Sequence, residues 1–219
     1  MTAAARTVRF ERFQPGEPVQ VAELRRQRVL CGWGLENVDL WCRQVEEGVK
    51  NLYWIWVDPK PTLPETEVLN LDPTEVGPPA PDPTFTPIGH VSLDWEDYGG
   101  EAELADRARG ICTVATFFIL VSMQGGGLGN LVMREMEAMA AGPELNAAVI
   151  TLNTLDGEVA RNPEFWARMG VPFKSRINED WYARLGYKAF RRGVERYPSK
   201  AVDGSDFLAE AVFMRKSLR

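Results

Sequence analysis

Gly125, Gly126, Gly127 and Gly129 follow directly on a nine-residue run, Thr113 to Val121, that is rich in β-branched and aromatic side chains. Short apolar runs of that kind are what a strand buried on both faces looks like. From Leu128 the apolar residues fall at Leu128, Leu131, Val132, Met136 and Met139, the spacing of one helix face. Gly142-Pro143 closes that helix, with a glycine able to turn left-handed and a proline that cannot continue it. The chemistry this unit offers is anion binding by backbone. Without side chains at 125–127 and 129 a ligand approaches the main chain closely, and the first helical N–H groups are free to donate. The helix dipole adds partial positive charge there, so a phosphate or pyrophosphate fits.

Three phosphate loops compete for these residues. The P-loop needs Gly-Lys-Ser/Thr, whereas Gly129 is followed by Asn130 and Leu131. GxGxxG fails as well, because the third glycine would fall on Asn130 or Val132. What remains is Gln-x-x-Gly-x-Gly, met by Gln124, Gly127 and Gly129. A tight strand-to-helix turn without a ligand is the alternative reading.

That pattern, after a strand and before a helix, resembles the acetyl-CoA-binding motif of the GNAT superfamily of N-acyltransferases. The resemblance implies acetyl-CoA as cosubstrate, with no metal, and a pyrophosphate held by the loop from Gln124 through Gly125, Gly126, Gly127, Leu128 and Gly129 to Asn130. It implies that Ile119, Leu120 and Val121 lie along the pantetheine arm, with the Phe117 N–H near the thioester carbonyl. Val121 stands where the family often has proline. Asn153 matches an asparagine that often contacts the CoA arm. An asparagine that simply ends a strand is the alternative.

The supporting elements follow in order. Thr7 to Phe13 alternates as a first strand. Pro18 suits a first helical turn, and Val21, Leu24 and Val29 give a helix stopping near Gly32–Gly34. Asn37 is placed to cap a second helix with the stripe Val38, Trp41, Cys42, Val45 and Val49. Leu52 to Val57, Ile88 to Trp95, Ala147 to Asn153, Tyr187 to Val194 and Phe207 to Met214 read as strands. The crossover from the central strand to 147–153 should make those two strands parallel. NPEFWARMGV from Asn162 is echoed by NEDWYARLGY from Asn178, two helical turns each ended by a left-handed glycine. The second copy looks like the family's Tyr-x-x-x-Gly-Phe/Tyr segment, which implies that Tyr182 faces the CoA sulfur. The helix at 158–169 is then an insertion. The order implies an α/β GNAT-like fold, with a central mixed, mostly antiparallel twisted sheet of about seven strands flanked by helices.

Length and composition bound the rest. The 219 residues are most economically one domain, 1–219, and 45% hydrophobic with 26% charged is ordinary for a globular protein. Residues 58–87 hold nine of the fifteen prolines and six acidic residues, so they read as a surface insertion. Residues 96–110 read as a second acidic, solvated loop, with shaping of the acceptor mouth as the alternative for both. A net charge of −6 argues against a nucleic-acid partner. No apolar run reaches the roughly 20 residues of a membrane helix. Met1 to Phe10 lacks a signal-peptide core. Three cysteines in no metal spacing and a single histidine argue against zinc and for a cytoplasmic protein with free thiols. The partners expected are a small-molecule or protein amine acceptor and, in a homodimer, a second copy.

The implied chemistry is direct acyl transfer from a thioester to an amine. Phe117 N–H would face the developing oxyanion and Tyr182 would protonate the leaving thiolate. A base is not evident, because Thr113 stands where some members carry glutamate. Glu96 or Asp94 could act through water, while His90, among apolar neighbours, reads better as a hydrogen-bonded structural histidine. Trp33 and Trp41, on the helix pair that usually walls the acceptor site, are candidate acceptor contacts, although aromatic residues on helices are more often core. A non-catalytic acyl-CoA sensor or scaffold of the same fold is the second reading.

Overall fold

A computed structural model describes residues 6–59 and 82–219, so most of the proline-rich insertion, residues 60–81, lies outside the described residues. The β-branched and aromatic runs become β1 (Thr7–Arg12), β2 (Leu52–Asp58), β3 (Gly89–Asp94), β4 (Ile111–Ile119), β5 (Val149–Leu155), β6 (Lys188–Lys200) and β7 (Asp206–Ser217). They form one sheet in the order β1-β2-β3-β4-β5-β7-β6. Every neighbouring pair is antiparallel except β4 with β5. The mixed, mostly antiparallel seven-stranded sheet expected from the sequence is borne out, as is the parallel crossover.

Among the described residues six α-helices flank it: α1 (Pro18–Cys31), α2 (Val38–Glu46), α3 (Leu128–Ala141), α4 (Gly157–Arg161), α5 (Pro163–Met169) and α6 (Asn178–Arg184). Period-2 alternation gives the sheet two apolar faces. One packs Ile55, Val91, Leu93, Cys112, Val114, Ile150 and Leu152 under α3, whose Leu128, Val132, Met133 and Met136 are buried. Each such side chain contributes about 1.5–3 kcal/mol of transfer free energy. The other face sets Leu52 and Trp54 against Leu24, Val38 and Trp41 of α1 and α2.

Several boundaries differ from expectation. β4 ends at Ile119, because Leu120 N–H closes the ladder on Ile88 O and Val121–Met123 then turns as a 3₁₀ segment. Gly142 is extended rather than left-handed (φ −66°). Asn37 stands at the N-cap of α2, as expected, but ends a 3₁₀ turn and makes no side-chain cap bond, its amide donating to Glu36 instead. The helix at 158–169 is two short helices, divided where Asn162 accepts from Glu164 N–H and Pro163 starts α5. Residues 96–110 are largely exposed, as expected of a solvated loop, but anchored at two points: Leu104 is fully buried beside Ala211 and Phe213, and Asp97 pairs with Arg196 at 2.5 Å.

Candidate functional site

The site lies where β4 and β5 part. Their parallel pairing runs only from Ile111 opposite Val149 to Val114 opposite Leu152. Beyond it, β4 stays with β3 and β5 stays with β7, so the facing edges of Ala115–Ile119 and Asn153–Leu155 have no ladder between them. A bulge sharpens the parting. His90 opposes Phe118 and Ser92 opposes Ala115, so Thr116 and Phe117 share one partner, and Thr116 takes φ +50°. A left-handed threonine costs about 1–2 kcal/mol and persists only where its surroundings hold it.

A buried polar chain does the holding. Ser92 Oγ lies 3.0 Å from Thr116 Oγ1, 3.2 Å from Ala115 O and 2.9 Å from Asp94 Oδ2. Lys50 Nζ donates to Asp94 at 2.6 Å and to Ser92 at 3.0 Å, with all three side chains buried. Asp94 is therefore committed to an ammonium and a hydroxyl. Glu96 is exposed beyond that end of β3, past the Asp94–Thr113 pair and four β4 residues, about 13 Å, from Phe117. The structure does not bring Glu96 to the bulge. Thr113 Oγ1 is buried with no hydrogen-bond partner among the described residues.

The glycine loop follows at the open end of β4. Gly125, Gly126 and Gly127 are exposed at φ +99°, +55° and +79°, conformations that L side chains rarely adopt. Gly127 begins α3 with no side-chain cap, and Leu128 N–H and Leu131 N–H are taken by Gly125 O and Gly127 O. The amides of Gly125, Gly126, Gly127, Gly129 and Asn130 donate to nothing among the described residues. Gln124 braces the loop through Nε2 to Ile119 O at 2.9 Å. Leu120 N–H points to β3, so by alternation the Ile119 backbone faces the β5 edge. Val121 is exposed beside it. Exposed amides without an acceptor at a helix start suit a diphosphate, with room for an extended arm along β4.

Helix α6 closes the gap from above. Trp181 stacks on Phe117 (6.2 Å, 20°) and donates to Asn130 Oδ1 at 2.6 Å. A Cβ on Gly129 would lie 3.1 Å from the Trp181 ring, so this glycine also makes room for the indole. Tyr182 packs between Trp181 (4.7 Å) and Tyr187 (5.7 Å), and its hydroxyl has no hydrogen-bond partner among the described residues. Burial pushes its phenol up, so it stays protonated. Asn153, the first β5 residue past the paired segment, accepts from Tyr197 Oη. Trp33 is 46% exposed with its ring edge-on to Tyr197 at 6.3 Å. Trp41, by contrast, is core rather than wall: it is 6% exposed, with Arg28 and Lys50 against its ring. His90 is fully buried between Gln27 Oε1 (2.7 Å) and Arg28 Nη1 (3.3 Å), and burial pushes its pKa down, so it is a neutral structural histidine.

The glycine loop, Phe117 and Asn153 border the parting of β4 and β5, and Tyr182 lies beside the Trp181 that stacks on Phe117. Trp181, Tyr197 and the Lys50–Asp94–Ser92 chain were not singled out from sequence. Trp181 adjoins the tyrosine in the repeated segment, a signal that could have found it. No group of histidine, cysteine and acidic residues among the described residues could hold a metal ion.

No family model matches the sequence, and no curated protein does. Solved structures do match in fold. A spermidine N-acetyltransferase from Vibrio cholerae in complex with CoA and spermine aligns at TM-score 0.57 and 11% identity, over 97% of this chain and 96% of that one. A spermidine/spermine N-acetyltransferase from the same organism, in complex with manganese ions, aligns at 0.55 and 12%, over 97% and 93%. An aminoglycoside 6'-N-acetyltransferase complexed with coenzyme A aligns at 0.55 and 11%, over 96% and 97%. The likeness is one of fold, and the fold is the GNAT fold implied by the glycine motif.

Proposed function

We propose that the chain is an N-acetyltransferase that moves an acetyl group from acetyl-CoA to a primary amine by direct transfer. The observation that carries this reading is the unladdered gap between β4 and β5, ending in five free amides at the start of α3. Bound acetyl-CoA supplies an activated acyl thioester. The loop amides from Gly125 to Asn130 hold its diphosphate, and the Ile119–Val121 backbone lines its arm. The bulge aims Phe117 N–H at the acyl oxygen, where a fixed donor stabilises developing charge. The amine nitrogen bonds to the acyl carbon as the carbon–sulfur bond breaks. Tyr182 Oη, protonated and without another partner among the described residues, gives its proton to the departing sulfur, and the proton lost by the nitrogen passes through water to restore the phenol. Asn153 contacts the CoA arm from the β5 edge, and the exposed face of Trp33 lines the side from which the amine enters. Self-association into a homodimer belongs to the same proposal and is read by sedimentation.

A second reading, an acyl-CoA sensor without turnover, is favoured by one observation. Thr113 and the Lys50-bound Asp94 leave no free carboxylate on the central strands beside the bulge. Thiol release from acetyl-CoA across a panel of polyamines, aminoglycosides and peptide amines separates the two. Amine-dependent release supports the enzyme, whereas binding without release from any amine supports the sensor.

A further inference from the structure

The loop that would hold a diphosphate carries no charge of its own. Gln124 is engaged by Ile119 O, and the first turn of α3, Leu128 to Leu131, holds no ionisable side chain. A diphosphate brings two negative charges, which neutral amides and a helix dipole only partly balance. The sheet register supplies a cation. Phe10, Ile55, Gly89 and Ile119 stand in one row across β1 to β4, so the start of β1 lies at the same end of the sheet as the glycine loop. Val8 and Phe10 pack into the core beneath α3, which anchors that end of β1. Arg6, one residue before β1, reaches the loop: a Cβ built on Gly126 would lie 3.5 Å from Arg6 Nη1. The other arginines of β1 are occupied, Arg9 by Glu11 and Arg12 by Glu144, each at 2.8 Å. The Arg6 guanidinium has no hydrogen bond or ion pair with any described residue.

We propose that Arg6 is a ligand-binding residue whose guanidinium takes phosphoryl oxygens of the CoA diphosphate held by the loop amides. This rests on the CoA reading above. A guanidinium presents a planar fork of donors matched to phosphoryl oxygens, and such charge-assisted bonds are stronger than the amide bonds beside them. The assignment gives the N-terminal strand a functional end as well as a structural middle.

The test titrates CoA, dephospho-CoA and pantetheine into the parent protein, R6A and R6K by calorimetry, with melting temperatures recorded alongside. Arg6 is exposed and has no partner among the described residues, so R6A should melt with the parent. It should bind CoA and dephospho-CoA about 10- to 100-fold more weakly, the scale of one charge-assisted hydrogen-bonded contact. R6K should fall between, and pantetheine, which has no diphosphate, should bind all three alike. Unchanged CoA affinity in R6A overturns the assignment, as does an equal loss for pantetheine. A loss for CoA but not dephospho-CoA moves Arg6 to the 3′-phosphate and also overturns it. Failure of the parent itself to bind CoA sinks the underlying reading, an outcome distinct from the others.

Discussion

Tyr182→Phe removes one oxygen from a ring that is 8% exposed and wedged between Trp181 and Tyr187. The hydroxyl has no partner among the described residues, so its loss strands no donor or acceptor, and phenylalanine fills the same space. Stability should therefore change by less than about 1 kcal/mol. The chemistry should change far more. Burial raises the phenol, and the same dry site raises the basicity of a departing thiolate, so proton transfer between them stays feasible. A positioned acid contributes about 10²–10⁴ in rate, so kcat should fall at least about 100-fold, or roughly 2.7 kcal/mol of barrier. Since the raised pKa keeps the phenol protonated below its ordinary value near 10, the parent's rate should show no loss of this acid between pH 6 and pH 9. The assay is thiol release from acetyl-CoA with one accepted amine, beside a calorimetric CoA titration. A variant within twofold of the parent in kcat, at equal CoA affinity, would falsify the acid role.

Gly129→Ala adds a Cβ 3.1 Å from the Trp181 ring in a helix that otherwise gains about 1 kcal/mol from alanine. Melting should barely move while Trp181 fluorescence shifts and kcat drops about tenfold through misplacement of α6; unchanged fluorescence and kcat would separate the indole from the site. Ser92→Ala leaves Asp94, Lys50 and Thr116 short of a partner and should cost about 1–3 kcal/mol in a urea titration. It should also lower kcat without weakening CoA, because the bulge that aims Phe117 relaxes. A loss of stability with unchanged kcat would reduce the polar chain to a core feature.

The glycine loop was legible because three adjacent residues without side chains, between an apolar run and an amphipathic one, serve few purposes other than close approach to backbone. Strand count and order were legible because period-2 and period-3.6 patterns report burial directly. The parting of β4 from β5 was not, since an apolar run has the same composition whether its edge is paired or open. Trp41 lies on a helical stripe and Trp33 in the turn before it, and only packing decides that one is core and the other half open. Asp94 offered a free carboxylate in sequence. The lysine that neutralises it sits 44 residues away and comes near only through the β2–β3 pairing. Arg6 gave no signal either, because its neighbour across the molecule is a glycine more than a hundred residues distant.

The central claim is that uncovered amides at the head of α3 hold the diphosphate of a CoA thioester. Calorimetric titration of acetyl-CoA into the parent protein and Gly127→Glu measures it most directly. Gly127 has open space around its Cβ position, but at φ +79° a glutamate is strained there and sets a negative charge on the cradle. The account predicts saturable one-to-one binding by the parent and none by the variant. Parent heats that stay at baseline up to millimolar acetyl-CoA, or equal binding by both proteins, would contradict it.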